Sequence, residues 1–249
     1  MSENTIKINA IVVRAKESGE NDRLLTLLSP EAGKLTVTAK GVRSLKHKSR
    51  SACMPLSYSS FVLKKIKDGL YSLTSADVIE SFAPLSKDVE LLSYGAYFAD
   101  LARLCVQSAV PAEEEVRLLL NTLYVLTKRS DAAPLIKAVF ELKLMELCGI
   151  MPEFGEECPC SSPATFFCPS EGEVRCSEHK TGDAIPISKN ELSLALYITN
   201  STLKDALFAS CNMDIASSLS RITEPFLSYH LGSLPNSLRY LRKIVIKKQ

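Results

Sequence analysis

The residues best suited to chemistry lie in one short stretch, CPCSSPATFFCPSEGEVRCSEH, which begins at Cys158 and ends at His179. Thiolates and imidazoles are ligands that zinc prefers, usually as two chelating pairs from two turns. Cys176 and His179 form one pair at C-x2-H spacing, and Cys158 and Cys160 form a second pair at C-x-C spacing. Cys168 is a fifth candidate, which could replace one member of the tighter pair.

Such a stretch could form a catalytic or a structural zinc site. The alternative to both is a loop of thiols that bind no metal. A catalytic site keeps one position open beside a general base, as in H-E-x-x-H proteases or deaminases with H-x-E and P-C-x-x-C. None of these patterns occurs in the chain. The sequence therefore predicts one structural zinc ion per chain, in a closed site that staples a loop at residues 156–182.

The sequence on both sides of this loop is typical of helices. From Pro84 onward, apolar residues recur at three-to-four spacing. Ser188 and Glu191 match a capping box, and Gly149 ends the helix before the cysteines. The predicted helices cover residues 86–105, 113–129, 134–149, 188–201, 213–232 and 237–248.

The first 82 residues are instead typical of β structure. Pro30 and Gly33 mark one turn, and Asp68-Gly69 is a strong hairpin signal. Strands are predicted at residues 7–14, 24–29, 34–42, 57–66 and 70–82. Five strands with little helix favour an OB-type barrel. The predicted fold class is α+β: a five-stranded OB-type β-barrel at 1–82, then an α-helical domain at 83–249 with the embedded zinc loop.

Charge is distributed unevenly along the chain. Residues 1–82 hold 13 Lys/Arg against 8 Asp/Glu, residues 83–238 hold 12 against 20, and residues 239–249 hold 5 against none. A polyanion would therefore meet the two ends of the chain. No apolar run approaches the roughly 20 residues that span a bilayer, and no secretory signal is recognisable. We expect a cytoplasmic protein that associates with the nucleoid and not with a membrane.

The most basic stretch, AKGVRSLKHKSR at 39–50, connects the third and fourth predicted strands. Cations along a groove would follow a phosphate backbone and displace its counterions. The predicted DNA-binding residues are Arg14, Lys34, Lys40, Arg43, Lys46, Lys48, Arg50, Lys64 and Lys65, extended by Arg242 and Lys243 in the tail. A solvated, mobile loop without a partner is the alternative. The chain has no Trp and no RNP-type aromatic motif, so we expect electrostatic binding without base specificity.

With these residues in view, the chain resembles the RecO family of bacterial recombination mediators. The resemblance is strongest over residues 11–50, where Ser18-Gly19-Glu20, Asp22-Arg23, Gly33-Lys34 and Ala39-Lys40-Gly41 follow the family's order of motifs. A weaker match covers most of the remaining chain. The chain departs from the family's zinc loop in its C-x-C first pair and in its final histidine, where cysteine is common.

The resemblance implies a protein that is not an enzyme. It would bind single- and double-stranded DNA, anneal complementary strands and, with RecR, help load RecA onto DNA coated by SSB. A second hypothesis is an interaction adaptor whose main ligands are RecR and the acidic, Phe-ended tail of SSB. A zinc hydrolase is a third, which requires an open metal site and a general base.

Overall fold

A computed structural model describes residues 4–67 and 69–246 of the chain. Its first five strands form a closed barrel in the order β1-β2-β3-β5-β4, which confirms the predicted five-stranded OB-type barrel. Gly69 has a φ of +71°, as the predicted hairpin requires, whereas Asp68 lies outside the described residues. The strands are β1 (Thr5–Ser18), β2 (Asp22–Ser29), β3 (Gly33–Ala39), β4 (Ser57–Lys67) and β5 (Leu70–Ser81).

Alternation of apolar and polar residues closes the barrel around its core. Leu25 and Leu27 of β2, Val37 of β3, and Phe61 and Leu63 of β4 are fully buried inside it. The residues between them face outward, as the two-residue period of a strand requires. The third strand ends at Ala39, earlier than residue 42, because the chain turns at that point.

The helical part of the chain follows the predicted order. The Ser188–Glu191 capping box is present, and Gly149 has a φ of +69° at the end of the third helix. The predicted helix at 213–232 is divided into two at Leu219, and a short helix precedes it. The helices are α1 (Val89–Cys105), α2 (Glu113–Lys128), α3 (Ala133–Leu147), α4 (Lys189–Asn200), α5 (Leu203–Leu207), α6 (Met213–Ser218), α7 (Ser220–Leu231) and α8 (Asn236–Ile246).

A small three-stranded sheet lies between α3 and α4. Its strands are β6 (Phe166–Cys168), β7 (Glu173–Arg175) and β8 (Ile185–Pro186), in the order β7-β6-β8. Phe167 is fully buried, with ring centroids 5.7 Å from Phe154 and 5.9 Å from Phe226 of α7. These aromatic contacts hold the sheet against α7.

Two compact units can be distinguished in the fold. One comprises the described parts of residues 1–127 and 235–249, so that it contains the barrel, α1, most of α2, and α8. The other comprises residues 128–234, with the small sheet and the remaining helices. The second unit is therefore inserted between α2 and α8 of the first. The predicted domain boundary at residue 82 stays a prediction.

Candidate nucleic-acid interface and metal centre

Residues 40–50, called here the basic segment, form three consecutive turns. The amide of Ser44 donates to the carbonyl of Gly41, that of His47 to Ser44 and that of Arg50 to His47, each at 3.1 Å. Within the third turn, Nδ1 of His47 accepts a hydrogen bond from the amide of Ser49 at 3.2 Å. Each turn ends at the residue that begins the next one, so that the segment is ordered along its whole length.

The turn between β1 and β2 anchors the start of the basic segment. The Asp22 carboxylate accepts a hydrogen bond from the Gly41 amide at 2.8 Å. The Arg43 guanidinium pairs with Glu17 at 3.1 Å and donates to the Gly19 carbonyl at 3.3 Å. The motif that contains Ser18-Gly19-Glu20 and Asp22-Arg23 therefore holds the segment in place, which is a structural role for Asp22.

The far end of the basic segment is fixed to the barrel. Ser49 is buried, and its hydroxyl accepts a hydrogen bond from the Ala76 amide of β5 at 2.9 Å. Val42 is fully buried in the barrel core together with Cys53, whose carbonyl accepts from the Arg23 guanidinium at 3.3 Å. The segment is thus fixed to the barrel near both of its ends, because Val42 and Ser49 are buried there.

The predicted cations of the segment differ in their surroundings. Lys40, Lys46 and Lys48 are exposed, and none of them makes an ion pair within the described parts of the chain. Arg43 is occupied by its partners in the β1–β2 turn, and Arg50 is half-buried. Three lysines are therefore available to an external anion.

Lys34 contacts α1, unlike the exposed lysines of the basic segment. Its ammonium donates to the carbonyl of Arg103 at 3.0 Å, near the C-terminus of α1, and its amide donates to the Gln107 carbonyl at 3.0 Å. Burial and the nearby Arg103 guanidinium lower the pKa of Lys34. The structure places this residue where β3 meets α1, and not with the basic segment.

Lys64 lies at one end of a row of side chains across the outside of the barrel. Strand pairing aligns Lys64 with Ser72, Ser72 with Thr38, Thr38 with Leu24, and Leu24 with Lys16. A lysine therefore stands at each end of the row, with the hydroxyl groups of Ser72 and Thr38 and the exposed Leu24 between them. Lys65 is also exposed and stands opposite Tyr71.

Arg14 begins the neighbouring row, which continues through Thr26 and Thr36 to Leu70 and Lys67. The exposed faces of β2 and β3 are the surface that binds oligonucleotides in OB folds. Lys16 and Lys67 were not among the predicted residues of this surface, because only strand register shows that they share it with Arg14 and Lys64. The alternation of polar residues along β2 and β3 was the available signal.

The predicted tail residues lie on α8. Leu238 and Leu241 are buried on the side of α8 that packs against α1, whereas Arg242 and Lys243 are exposed. Lys247 and Lys248 of the same predicted tail lie outside the described residues.

Four of the five predicted metal ligands converge. The ligand atoms of Cys158, Cys160, Cys176 and His179 all lie within 4.8 Å of one another. Sγ of Cys176 is 3.2 Å from Nδ1 of His179 and 3.7 Å from Sγ of Cys160, while Sγ of Cys158 is 3.9 Å from Nδ1. Cys168 is fully buried in β6 and is not a member of this group.

The spacing of two sulfur atoms in the group matches that expected around a tetrahedral ion. Zinc–sulfur bonds of about 2.3 Å place two sulfur ligands about 3.7 Å apart, close to the spacing of Cys160 and Cys176. Hydrogen bonds from Ser162, and then from the neighbouring thiols, lower the pKa of Cys160 to about 6. Hydrogen bonding and the charge of Cys160 raise the pKa of His179. The site could therefore hold a metal ion, and its donor set is compatible with zinc.

Local backbone geometry accounts for the tight first pair. The amide of Cys158 donates to the Ser162 carbonyl at 2.8 Å, and the Ser161 amide donates back to Cys158 at 2.8 Å. Ser161 has a φ of +63°, in the left-handed region. This turn brings both thiols to one side although only Pro159 separates them.

Among the described residues, no helix is both long and apolar enough to span a membrane.

Comparison with known proteins gives matches to both parts of the chain. The model of the family "Recombination protein O N terminal" matches residues 1–82, and that of "Recombination protein O C terminal" matches residues 86–239. The chain is 30% identical to DNA repair protein RecO of Acetivibrio thermocellus over 247 residues, which cover 97% of this chain and 98% of the relative. It is 31% identical to the RecO of Caldicellulosiruptor bescii over 96% of this chain and 98% of the relative. The RecO of Dehalococcoides mccartyi is 30% identical, over 94% of each chain. The chain therefore belongs to the RecO family of DNA repair proteins.

Proposed function

We propose that the protein is a non-enzymatic recombination mediator that binds DNA through the barrel unit. The basic segment carries this proposal, because it is ordered and yet leaves Lys40, Lys46 and Lys48 exposed. An ordered cationic surface binds phosphates with little further loss of conformational entropy. The Arg14 and Lys64 rows extend the positive surface over the strands. Contacts of this kind recognise phosphates and carry no direct sequence information.

Fluorescence polarisation of a labelled single strand at several salt concentrations tests this interface. Each phosphate contact contributes about 0.7 to the slope of log K against log salt for single strands. Lys46→Ala combined with Lys48→Ala is expected to weaken binding and to reduce the slope by about 1.4. The matched control combines Lys87→Ala with Lys204→Ala, since both of these lysines are exposed outside the interface. Equal slopes in the two double variants would remove the basic segment from the interface.

The mediator activity itself is proposed from family membership. The protein would anneal complementary strands, bind double-stranded as well as single-stranded DNA, and act with RecR to load RecA onto SSB-coated strands. Such work would take place in the cytoplasm, at the nucleoid. The direct test is annealing of complementary strands that are first coated with SSB. If the protein leaves the annealing rate of both free and SSB-coated strands unchanged, the proposed activity is refuted.

We propose that Cys158, Cys160, Cys176 and His179 hold one zinc ion as a structural site. Four protein ligands complete a tetrahedron and leave no position for a reacting water, which argues against a zinc hydrolase. When bound, the ion would join the turn at Cys158 to the turn after β7. Elemental analysis of protein purified without chelator is expected to give one zinc per chain.

A groove in the helical unit favours the adaptor hypothesis as a second activity. It has a volume of about 430 Å³, and its lining includes Leu194, Tyr197 and Ile215. The Arg129 guanidinium lies near the lining residue Cys211, whose pKa it lowers against the larger effect of burial, and it stacks 5.3 Å from the ring of Phe208. An apolar groove beside a cation suits the acidic, Phe-ended tail of SSB.

Calorimetric titration with a peptide of that tail tests the groove. Tyr197→Ala and Arg129→Ala are expected to weaken binding, and a peptide without its terminal Phe serves as the control. Unaltered affinity in both variants would exclude the groove. RecR remains a second proposed partner.

A further inference from the structure

The centre of the basic segment carries an exposed leucine. Leu45 is 83% exposed, the highest value among the large hydrophobic side chains described. Single exposed leucines are common on protein surfaces and need no special explanation. Leu45 differs because of the backbone that carries it and the charges that surround it.

The three turns of the segment differ in whether their central residues are buried. The first turn buries Val42 in the barrel core, and the third buries Ser49 against β5. The middle turn, closed by the hydrogen bond from His47 to Ser44, buries neither of its central residues, Leu45 and Lys46. Leu45 thus stands at the outermost turn of a segment that is fixed at both ends.

The surroundings of Leu45 are cationic. Lys46 and Lys48 are exposed beside it, and no acidic residue occurs between residues 40 and 50. An apolar side chain among cations is complementary to a ligand with an apolar interior and an anionic edge. Stacked nucleic-acid bases between phosphates have this chemistry, and leucine is among the residues that proteins insert between base steps.

We propose that Leu45 acts as a wedge that inserts between neighbouring bases while Lys46 and Lys48 bind the flanking phosphates. This inference rests on the proposed DNA binding and adds a second component to it. Phosphate contacts fix the strand, and the wedge separates one base step. A strand held with unstacked bases presents their edges to a complementary strand, which connects the wedge to annealing.

The experiment uses the full-length protein and oligonucleotides that contain 2-aminopurine, whose fluorescence rises when it is unstacked. One arm uses a single strand and the other a duplex. At saturating wild-type protein, a rise is expected in at least one arm. Leu45→Ser is expected to abolish that rise and to weaken binding about tenfold, as loss of a partly buried leucine would. Its salt slope should match the wild type, because the phosphate contacts remain.

Two variants serve as controls. Val89→Ser alters another exposed apolar residue, 66% exposed at the start of α1, and should behave as wild type in both readouts. Leu45→Ile should retain the fluorescence rise. A matching thermal midpoint for Leu45→Ser will show that the fold is intact, since the side chain makes little buried contact.

The outcomes separate the wedge from the binding on which it rests. If wild type binds but gives no rise in either arm, or if Leu45→Ser gives the same rise as wild type, the wedge is overturned and the phosphate interface stands. If wild-type protein binds neither oligonucleotide at low salt, the proposed DNA binding fails and the wedge with it. If Leu45 instead contacts another protein, wild type would bind DNA without a fluorescence rise in either arm.

Discussion

Gly33 is expected to be among the positions in the barrel unit least tolerant of a side chain. It has a φ of +63°, and a Cβ atom built on it would lie 2.1 Å from the Val110 carbonyl oxygen and 2.6 Å from that of Gln107. Both neighbours are backbone atoms of the connection between α1 and α2, so a rotamer change cannot relieve the overlap. Gly33→Ala must therefore displace that connection.

The cost of Gly33→Ala has two parts. A left-handed alanine costs about 1–2 kcal/mol. Displacing the connection also breaks the hydrogen bonds from Lys34 to Gln107 at 3.0 Å and from Ala112 to Pro30 at 2.8 Å. At about 1 kcal/mol each, these bring the expected loss in free energy of unfolding to about 3–4 kcal/mol. For a chain of this size the thermal midpoint should fall by about 10 °C.

Gly19→Ala is the matched control for Gly33→Ala. Gly19 also lies in the barrel unit and has a φ of +71°, but a Cβ atom there would meet nothing within 4 Å. This variant should show the backbone cost alone, or about 4 °C in the thermal midpoint. Thermal unfolding followed by far-UV circular dichroism measures both. Equal shifts in the two variants would show that the close approach at Gly33 contributes nothing to the loss of stability.

Three further predictions concern the second unit. Cys176→Ser should abolish zinc binding in elemental analysis while Cys168→Ser retains one zinc per chain; zinc loss in both would contradict the ligand set. Lys137 is buried 2.8 Å from Glu141 and 2.9 Å from Glu224, which are also buried. Lys137→Met should therefore lower the free energy of unfolding in urea by about 3–5 kcal/mol, because two buried carboxylates lose their cation. A loss below about 1 kcal/mol would contradict this ion-pair network. Burial alone would raise the pKa of Glu191, but hydrogen bonds from Ser218, Ser188 and Arg221 outweigh it and lower the pKa to about 2. Its stabilising contribution is therefore complete above the unfolded pKa near 4.5 and is lost as pH falls toward 2. Glu191→Gln should accordingly be less stable than wild type at pH 7 and should lose less stability between pH 4.5 and 2, whereas parallel pH curves would exclude this assignment.

Much of the fold was accessible from local patterns. The turn residues Pro30 and Gly33 predicted the break between β2 and β3, and the Ser188–Glu191 capping box predicted the start of α4. Both signals depend on neighbours within a few residues, so no tertiary information was needed. The four clustered candidate ligands were predicted for the same reason, since they lie close together in the sequence between Cys158 and His179.

The role of the Gly33-Lys34 motif was not accessible in this way. Lys34 was predicted to bind DNA, yet its ammonium donates to a carbonyl of α1, about seventy positions further along the chain. Strand register likewise decided that Lys16 and Lys67 share a surface with Arg14 and Lys64. Such contacts join residues that are distant in sequence, and no periodicity encodes them.

The sequence alone determined a basic barrel, a helical part and a zinc-compatible cluster, because composition, periodicity and ligand spacing are local properties. The tertiary structure decided which of these residues face solvent together. It bound Arg43 to Glu17 and to the β1–β2 turn and left Leu45, Lys46 and Lys48 exposed, because a side chain's availability depends on long-range hydrogen bonds and burial. It also placed Cys168 in β6, outside the group that the other four candidate ligands form.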